Sequence, residues 1–245
     1  MKNTAQENQA VVATQALPRF DMYAGIHKAM RALMSDILMA VGRMDPQDSQ
    51  ELAAVGERVL ELLDFCAAHL QHENDFVHTA MEARAPGASA RIAHEHNDHL
   101  HHISSLKQQV AVLCASGSAG APALAQQLYL ALTLFVAENF QHMHMEETAH
   151  NAVLWARYTD AELVDIHNAL VASIAPADML FSLRWLVPYM NPAERAGLLL
   201  DMQAHAPAPA FAAALDVVRP HLTPMEWAKL SRALGLPPVP GLVAA

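Results

Sequence analysis

Apolar residues recur along most of this chain at the three- and four-residue intervals of an α-helix, and no run alternates as a strand would. Ile26, Met30 and Met34 form such a stripe in a first helix that Pro18 opens and that runs to about Arg43. Asp45-Pro46-Gln47-Asp48-Ser49 reads as a turn. A second helix is predicted from about Gln50 to Arg84, where Ala85-Pro86-Gly87 stops it. Ser89 is placed to cap a third, about Ala90 to Cys114. The loop from Ser116 to Pro122 separates this from a fourth, about Ala123 to Ala156. Long helices joined by short connections predict an all-α fold, an up-down-up-down four-helix bundle over residues 18–158.

From Thr159 the pattern changes to a repeat with a period of 32 residues, which sets Thr159, Asn191 and Thr223 in register. Each is followed three positions on by a glutamate, Glu162, Glu194 and Glu226, which is the sequence of a capping box. Pro192 and Pro224 take the favoured first helical position, and Pro188 aligns with Pro220. Residues 159–245 therefore read as two helical hairpins and a terminal helix, stacked like a short solenoid. Such a region is suited to covering the bundle, to self-association or to docking a protein partner.

With 53% hydrophobic residues the chain has enough apolar material for a sizeable core. Its longest apolar runs, such as Leu128 to Ala137, are too short to span a bilayer, and the polar first ten residues show no secretory pattern. A net charge of −10 without any Lys/Arg cluster argues against nucleic acid and anionic membranes as partners. Cys66 and Cys114 fit reduced thiols, so a cytoplasmic protein is expected.

Histidine is the exception to this ordinary composition. There are 15, and 11 of them fall between His69 and His150. His69 with Glu73 and His142 with Glu146 are both His-x-x-x-Glu, which puts an imidazole and a carboxylate one turn apart on one helix face. Such a pair can give its nitrogen to one metal ion while its carboxylate bridges to a second. Leu62, Phe65 and Phe76 lie at helical offsets from His69, and Phe135 and Val153 do so around His142 and Glu146. The donors thus face the core, where polar groups are costly unless coordinated.

His27 lies beside the apolar stripe of the first helix, and His96 and His99 share a stripe with Ile103 and Leu106 on the third. Glu73 lies about 14 residues before Gly87, and His96 to His102 about 9 to 15 after it, so at roughly 1.5 Å per residue they meet at one height. The metal ligands expected are His27, His69, Glu73, His96, His99, His142 and Glu146. His102 borders the set. His72, His78, His94, His101, His144 and His150 read as solvated or supporting positions. Tyr23 and Glu138 are placed to orient ligands or line a pocket, with a plain core tyrosine as the alternative for Tyr23; Arg31 reads as a surface residue that could pair with a ligating carboxylate, and Cys66 as space-filling.

As a set, His27, His69 with Glu73, His96 after Glu95, and His142 with Glu146 resemble the hemerythrin-like family over residues 20–158. The strings His27-Lys28-Ala29-Met30-Arg31 and Phe140-Gln141-His142-Met143 are similar to it too. The resemblance implies two iron ions, carboxylate-bridged with an oxo or hydroxo bridge, that bind dioxygen, nitric oxide or peroxide. It departs at Leu100, which leaves no His-x-x-x-His pair on the third helix; His99 or His102 is the expected substitute. Without thiolate ligands a structural zinc site is not expected, no His-Glu-x-x-His string occurs, and only Glu147 to His150 fits the ferritin-like Glu-x-x-His. Peroxide or nitric oxide turnover, iron donation for repair, and a metal-independent interaction scaffold are the competing functions.

Overall fold

The computed structural model describes residues 19–237, so Pro18, the polar first ten residues and the chain after 237 lie outside the description. Among the described residues the fold is all-helical, without strands. Four rods make the bundle: α1 (Ala24–Arg43), α2 (Ser49–His72) running on into α3 (Thr79–Arg84), α4 (Ala90–Cys114), and α5 (Ala121–Met145) running on into α6 (Asn151–Arg157). Each rod packs on the rods next to it in the order α1, α2, α4, α5 and back to α1, which is the antiparallel arrangement that short connections enforce.

Local chemistry sets the ends. Asp48 caps α2 by accepting from the backbone N–H of Gln50 and Glu51. Gly87 turns the chain into α4 at φ +81°, a conformation that other residues resist. Ser89 stands at the cap of α4 but does not cap it with its side chain. Its hydroxyl and N–H instead donate to Glu82, which also accepts from the Gly87 N–H.

Apart from a cluster of Leu183, Val187, Leu199 and Val218 within the C-terminal helices, the interior falls into two apolar clusters. The larger joins Met34, Ile37, Val59, Leu62, Leu63, Leu106, Leu128 and Leu132 at the end of the bundle where α1 meets α2. The smaller joins Met22, Tyr23, Val77, Met81, Leu154 and Leu163 at the other end. Leu163 comes from α7 (Asp160–Ser173), so the first helix after the bundle closes that end.

Beyond it follow α8 (Pro176–Leu186), α9 (Pro192–His205), α10 (Ala208–Val218) and α11 (Pro224–Ala233). All three capping boxes, at Thr159, Asn191 and Thr223, are formed. α8 lies along α1, and Lys28 is paired with Glu194 at 2.6 Å. Arg195, 3% exposed, donates to the carbonyls of Val187, Pro188 and Met190 and reaches Glu226, tying the end of one repeat unit to the start of another. No single helix among the described residues is long and apolar enough to cross a membrane.

Candidate metal centre

Between the two apolar clusters lies a layer of buried polar side chains: His27, His69, Glu73, His78, His96, His142, Glu146, His150 and Asn151. Two rods change their winding at this layer. Residues Glu73–His78 form a π turn between α2 and α3, and Glu146–His150 form another between α5 and α6. The apolar pattern requires them. Leu62 and Met81 are both buried, as are Phe135 and Leu154, and each pair is 19 residues apart. A regular helix at about 100° per residue would leave the second member about 100° off the face of the first. One extra residue in each rod, held as a π turn, restores the face.

The turn also moves the buried register by one position. Phe76 and Val153, expected on the core face, are half-buried, while Val77 and Leu154 are buried. His78 and His150, read from the sequence as solvated or supporting, are turned inward at the last residue of each π turn and are buried.

The donor atoms divide into two groups around two carboxylates. His27 Nε2 lies 3.6 Å from Glu73 Oε1 and 3.5 Å from Glu146 Oε2, and His69 Nε2 lies 3.2 Å from Glu73 Oε1. On the other side, His96 Nε2 is 3.5 Å from both Glu73 Oε2 and Glu146 Oε1, and His142 Nε2 is 3.3 Å from Glu146 Oε1. Each carboxylate therefore offers one oxygen to each pair of imidazoles. Ligands at about 2.1 Å from a metal ion stand roughly 3.0–3.4 Å from one another, close to the spacing found. All four carboxylate oxygens, with Nε2 of His27 and of His69, are buried without a hydrogen-bond partner among the described residues. Orphaned buried acceptors of this kind are costly, and a cation removes the cost.

Outer hydrogen bonds fix which nitrogen is available. His27 Nδ1–H donates to Glu147 at 3.1 Å, His96 Nδ1–H to Asn74 Oδ1 at 2.8 Å, and His142 Nδ1–H to Glu95 at 3.0 Å. Because those partners accept, each neutral ring keeps its lone pair on Nε2, the orientation that metal-binding histidines adopt. The Nε2 atoms of His96 and His142 then face each other at 3.1 Å. Two lone pairs at that distance repel unless a proton or a metal ion lies between them.

The electrostatics fit a cation site. Burial pushes the Glu73 carboxyl up, but His69 and His27 outweigh it and hold it well below the ordinary range. Burial and Glu73 push Glu146 up, and His142 and His96 bring it below its ordinary value. Burial lowers His27, yet Glu147, Glu73 and Glu146 raise it to about 9. His142 is raised in the same way, against burial, by Glu146, Glu73 and Glu95. The core thus keeps two ionised carboxylates and recruits protons to balance them, a task that metal ions take over when they bind.

His99 stands apart from the two carboxylates. Its ring packs edge-on against His142 at 4.8 Å, and with His102 and Glu138 it forms a separate group of donors. Burial, together with His142 and His96, pulls it down to about 4, so it is a neutral imidazole. This group lines an open cleft of about 360 Å³ that reaches His142 and Glu95. Arg31 pairs with Glu147, at 2.6 Å, and so holds the residue that orients His27. Tyr23 is 1% exposed, with its hydroxyl 3.2 Å from His150 Nδ1. Cys66 is buried, which pushes its thiol up to about 12 and suits space-filling.

The buried His/Glu cluster fits a metal cation in its donor types, its spacing and its orphaned atoms. The family model of the hemerythrin HHE cation-binding domain matches residues 20–152. No match is found among curated proteins. That domain covers more than half of the 245 residues and contains every donor of the buried layer, and the chain belongs to the hemerythrin HHE cation-binding family.

Proposed function

We propose that this chain holds two iron ions bridged by Glu73 and Glu146 and uses them, in the cytoplasm, to bind, sense or handle dioxygen, nitric oxide or peroxide. The observation that carries the reading is the division of the four carboxylate oxygens, one of each residue to each pair of imidazole nitrogens. Mixed imidazole and carboxylate donors suit iron and also admit manganese or zinc. Iron held there supplies redox chemistry and affinity for diatomic ligands.

The protein's own residues supply the setting. Glu147, Asn74 and Glu95 orient three of the imidazoles. The two apolar clusters exclude water above and below the polar layer. The cleft beside His142 is wide enough for a small ligand to approach, and neutral His99 stands in its wall. The C-terminal repeat covers α1 and offers the remaining surface to a second copy or another protein.

The test is elemental analysis after anaerobic loading with ferrous iron, followed by optical spectra with oxygen, nitric oxide and peroxide. At least two irons per chain and a new absorption band with one of these ligands are expected. Fewer than two irons, or a spectrum indifferent to all three, would overturn the reading. Sustained consumption of peroxide or nitric oxide would place the chain among enzymes rather than carriers.

A further inference from the structure

We propose that His78, His150 and Glu146 hold a third metal cation, of the first-row divalent class, beside the bridged pair. The proposal rests on the reading of the pair, because Glu146 would be shared. One donor atom from each of the three residues lies within 4.8 Å of the others. All three side chains are buried, at 6%, 3% and 0% exposure. His78 Nε2 has no hydrogen-bond partner among the described residues, and the two imidazole pairs leave it unused. The His78 and His150 rings stand nearly perpendicular at 5.4 Å between centroids, an arrangement in which two lone pairs can converge on one point.

Four imidazoles and both carboxylates already make two complete half-sites, so the pair has no need of these histidines. Yet both rods form a π turn that begins at the bridging glutamate and ends at one of them. In a regular helix His78 would lie about 140° around from Glu73, facing away. The wider turn brings it back, where its ring stacks on His96 at 4.8 Å. His150 is supported as the pair's histidines are: its Nδ1 is 3.2 Å from the Tyr23 hydroxyl, which can accept from it and leave Nε2 free. Two imidazoles and a carboxylate are a donor set that iron, manganese or zinc accepts.

The experiment is iron stoichiometry of the full chain after anaerobic ferrous loading and desalting, with the His78→Gln/His150→Gln double variant in parallel. Three irons in the native chain and two in the variant are expected. Two in both would overturn the third position and leave the pair intact. Two in the native chain and fewer in the variant would also overturn it, by assigning the two histidines to the pair. No iron in either would remove the pair as well. Should the double variant fail to fold, anomalous diffraction from iron-loaded native crystals decides: a third peak between His78, His150 and Glu146 supports the site, and two peaks alone overturn it. Tyr23→Phe should weaken only the last iron bound, by roughly 10–100-fold, as loss of an orienting partner does.

Discussion

Glu147→Gln should weaken iron binding at the position of His27 and His69 about tenfold and leave the position of His96 and His142 unchanged. Glu147 accepts from His27 Nδ1–H at 3.1 Å and from Arg31 at 2.6 Å and 3.0 Å. Against the upward push of burial, His27 and Arg31 hold its carboxyl at about 2 where 4.5 is ordinary. At about 1.36 kcal/mol per tenfold, that amounts to roughly 3 kcal/mol favouring the charged form. The side chain is 23% exposed, so solvent screens part of this, and we take about half as effective. A glutamine can still accept one of these hydrogen bonds, but it no longer favours positive charge on the imidazole. About 1.4 kcal/mol lost at His27 is a factor of ten in affinity, at the lower edge of what orienting partners of metal ligands contribute. The assay is a ferrous titration against a chromogenic chelator, which resolves successive binding steps. Glu95→Gln is the matched control, because Glu95 accepts from His142 Nδ1–H at 3.0 Å and should shift a different step. Unchanged isotherms for Glu147→Gln, or the same step shifted by both variants, would refute the assignment of separate positions.

Glu73→Gln keeps the side-chain shape but removes one of two buried negative charges, so bound iron should fall by at least one ion per chain in elemental analysis. The iron-loaded chain should melt at a higher temperature than the stripped one, because donors from four rods are joined by the ion; equal melting curves by circular dichroism would count against a site that spans the bundle. Glu82 is held at about 2 by the Gly87 N–H and the Ser89 hydroxyl and N–H. Its folded value lies below the ordinary 4.5, so its contribution is fully present above about 4.5 and is lost as pH falls through about 2. The melting-temperature gap between native chain and Glu82→Gln should close over that window, and a constant gap would exclude this origin. Leu163→Ala, at a residue 0% exposed, should cost roughly 2–5 kcal/mol in denaturant unfolding, and a loss under about 1 kcal/mol would mean that α7 is not part of the bundle's packing.

Much of this was legible from spacing alone. The expected bounds of the third helix, Ala90 to Cys114, coincide with α4, because its apolar period is unbroken. The alignment of Thr159, Asn191 and Thr223 appears as three formed capping boxes. His27, His69, Glu73, His96, His142 and Glu146 converge because His-x-x-x-Glu fixes two donors on one face wherever the helix stays regular. His78 was not legible, because a constant period of 3.6 cannot represent a π turn, whereas His150, four residues after Glu146, shares that residue's face by spacing alone. The signal was present as a slip of phase: Leu62 to Met81 and Phe135 to Leu154 fit one face only if each rod gains a residue. His99 shares the stripe of His96, but three residues move it about 4.5 Å along the axis, past the carboxylates to Asn139 and Phe135.

The polar layer splits the bundle interior into two apolar masses of unequal size, and this has an expected kinetic consequence. The larger closes its half of the bundle with no help from the donors. The smaller depends on Met22, Tyr23, Val77, Met81, Leu154 and Leu163, and two of the rods reach it through a π turn. Those joints are the places where helical bonding is least regular, so the small half can breathe as a unit while the large half stays shut. Ions are then expected to reach donors deep in the core at a fraction of the free energy of global unfolding. Ions seated there would join the two halves, and their residence time is expected to follow the hold of the smaller cluster rather than the stability of the whole chain.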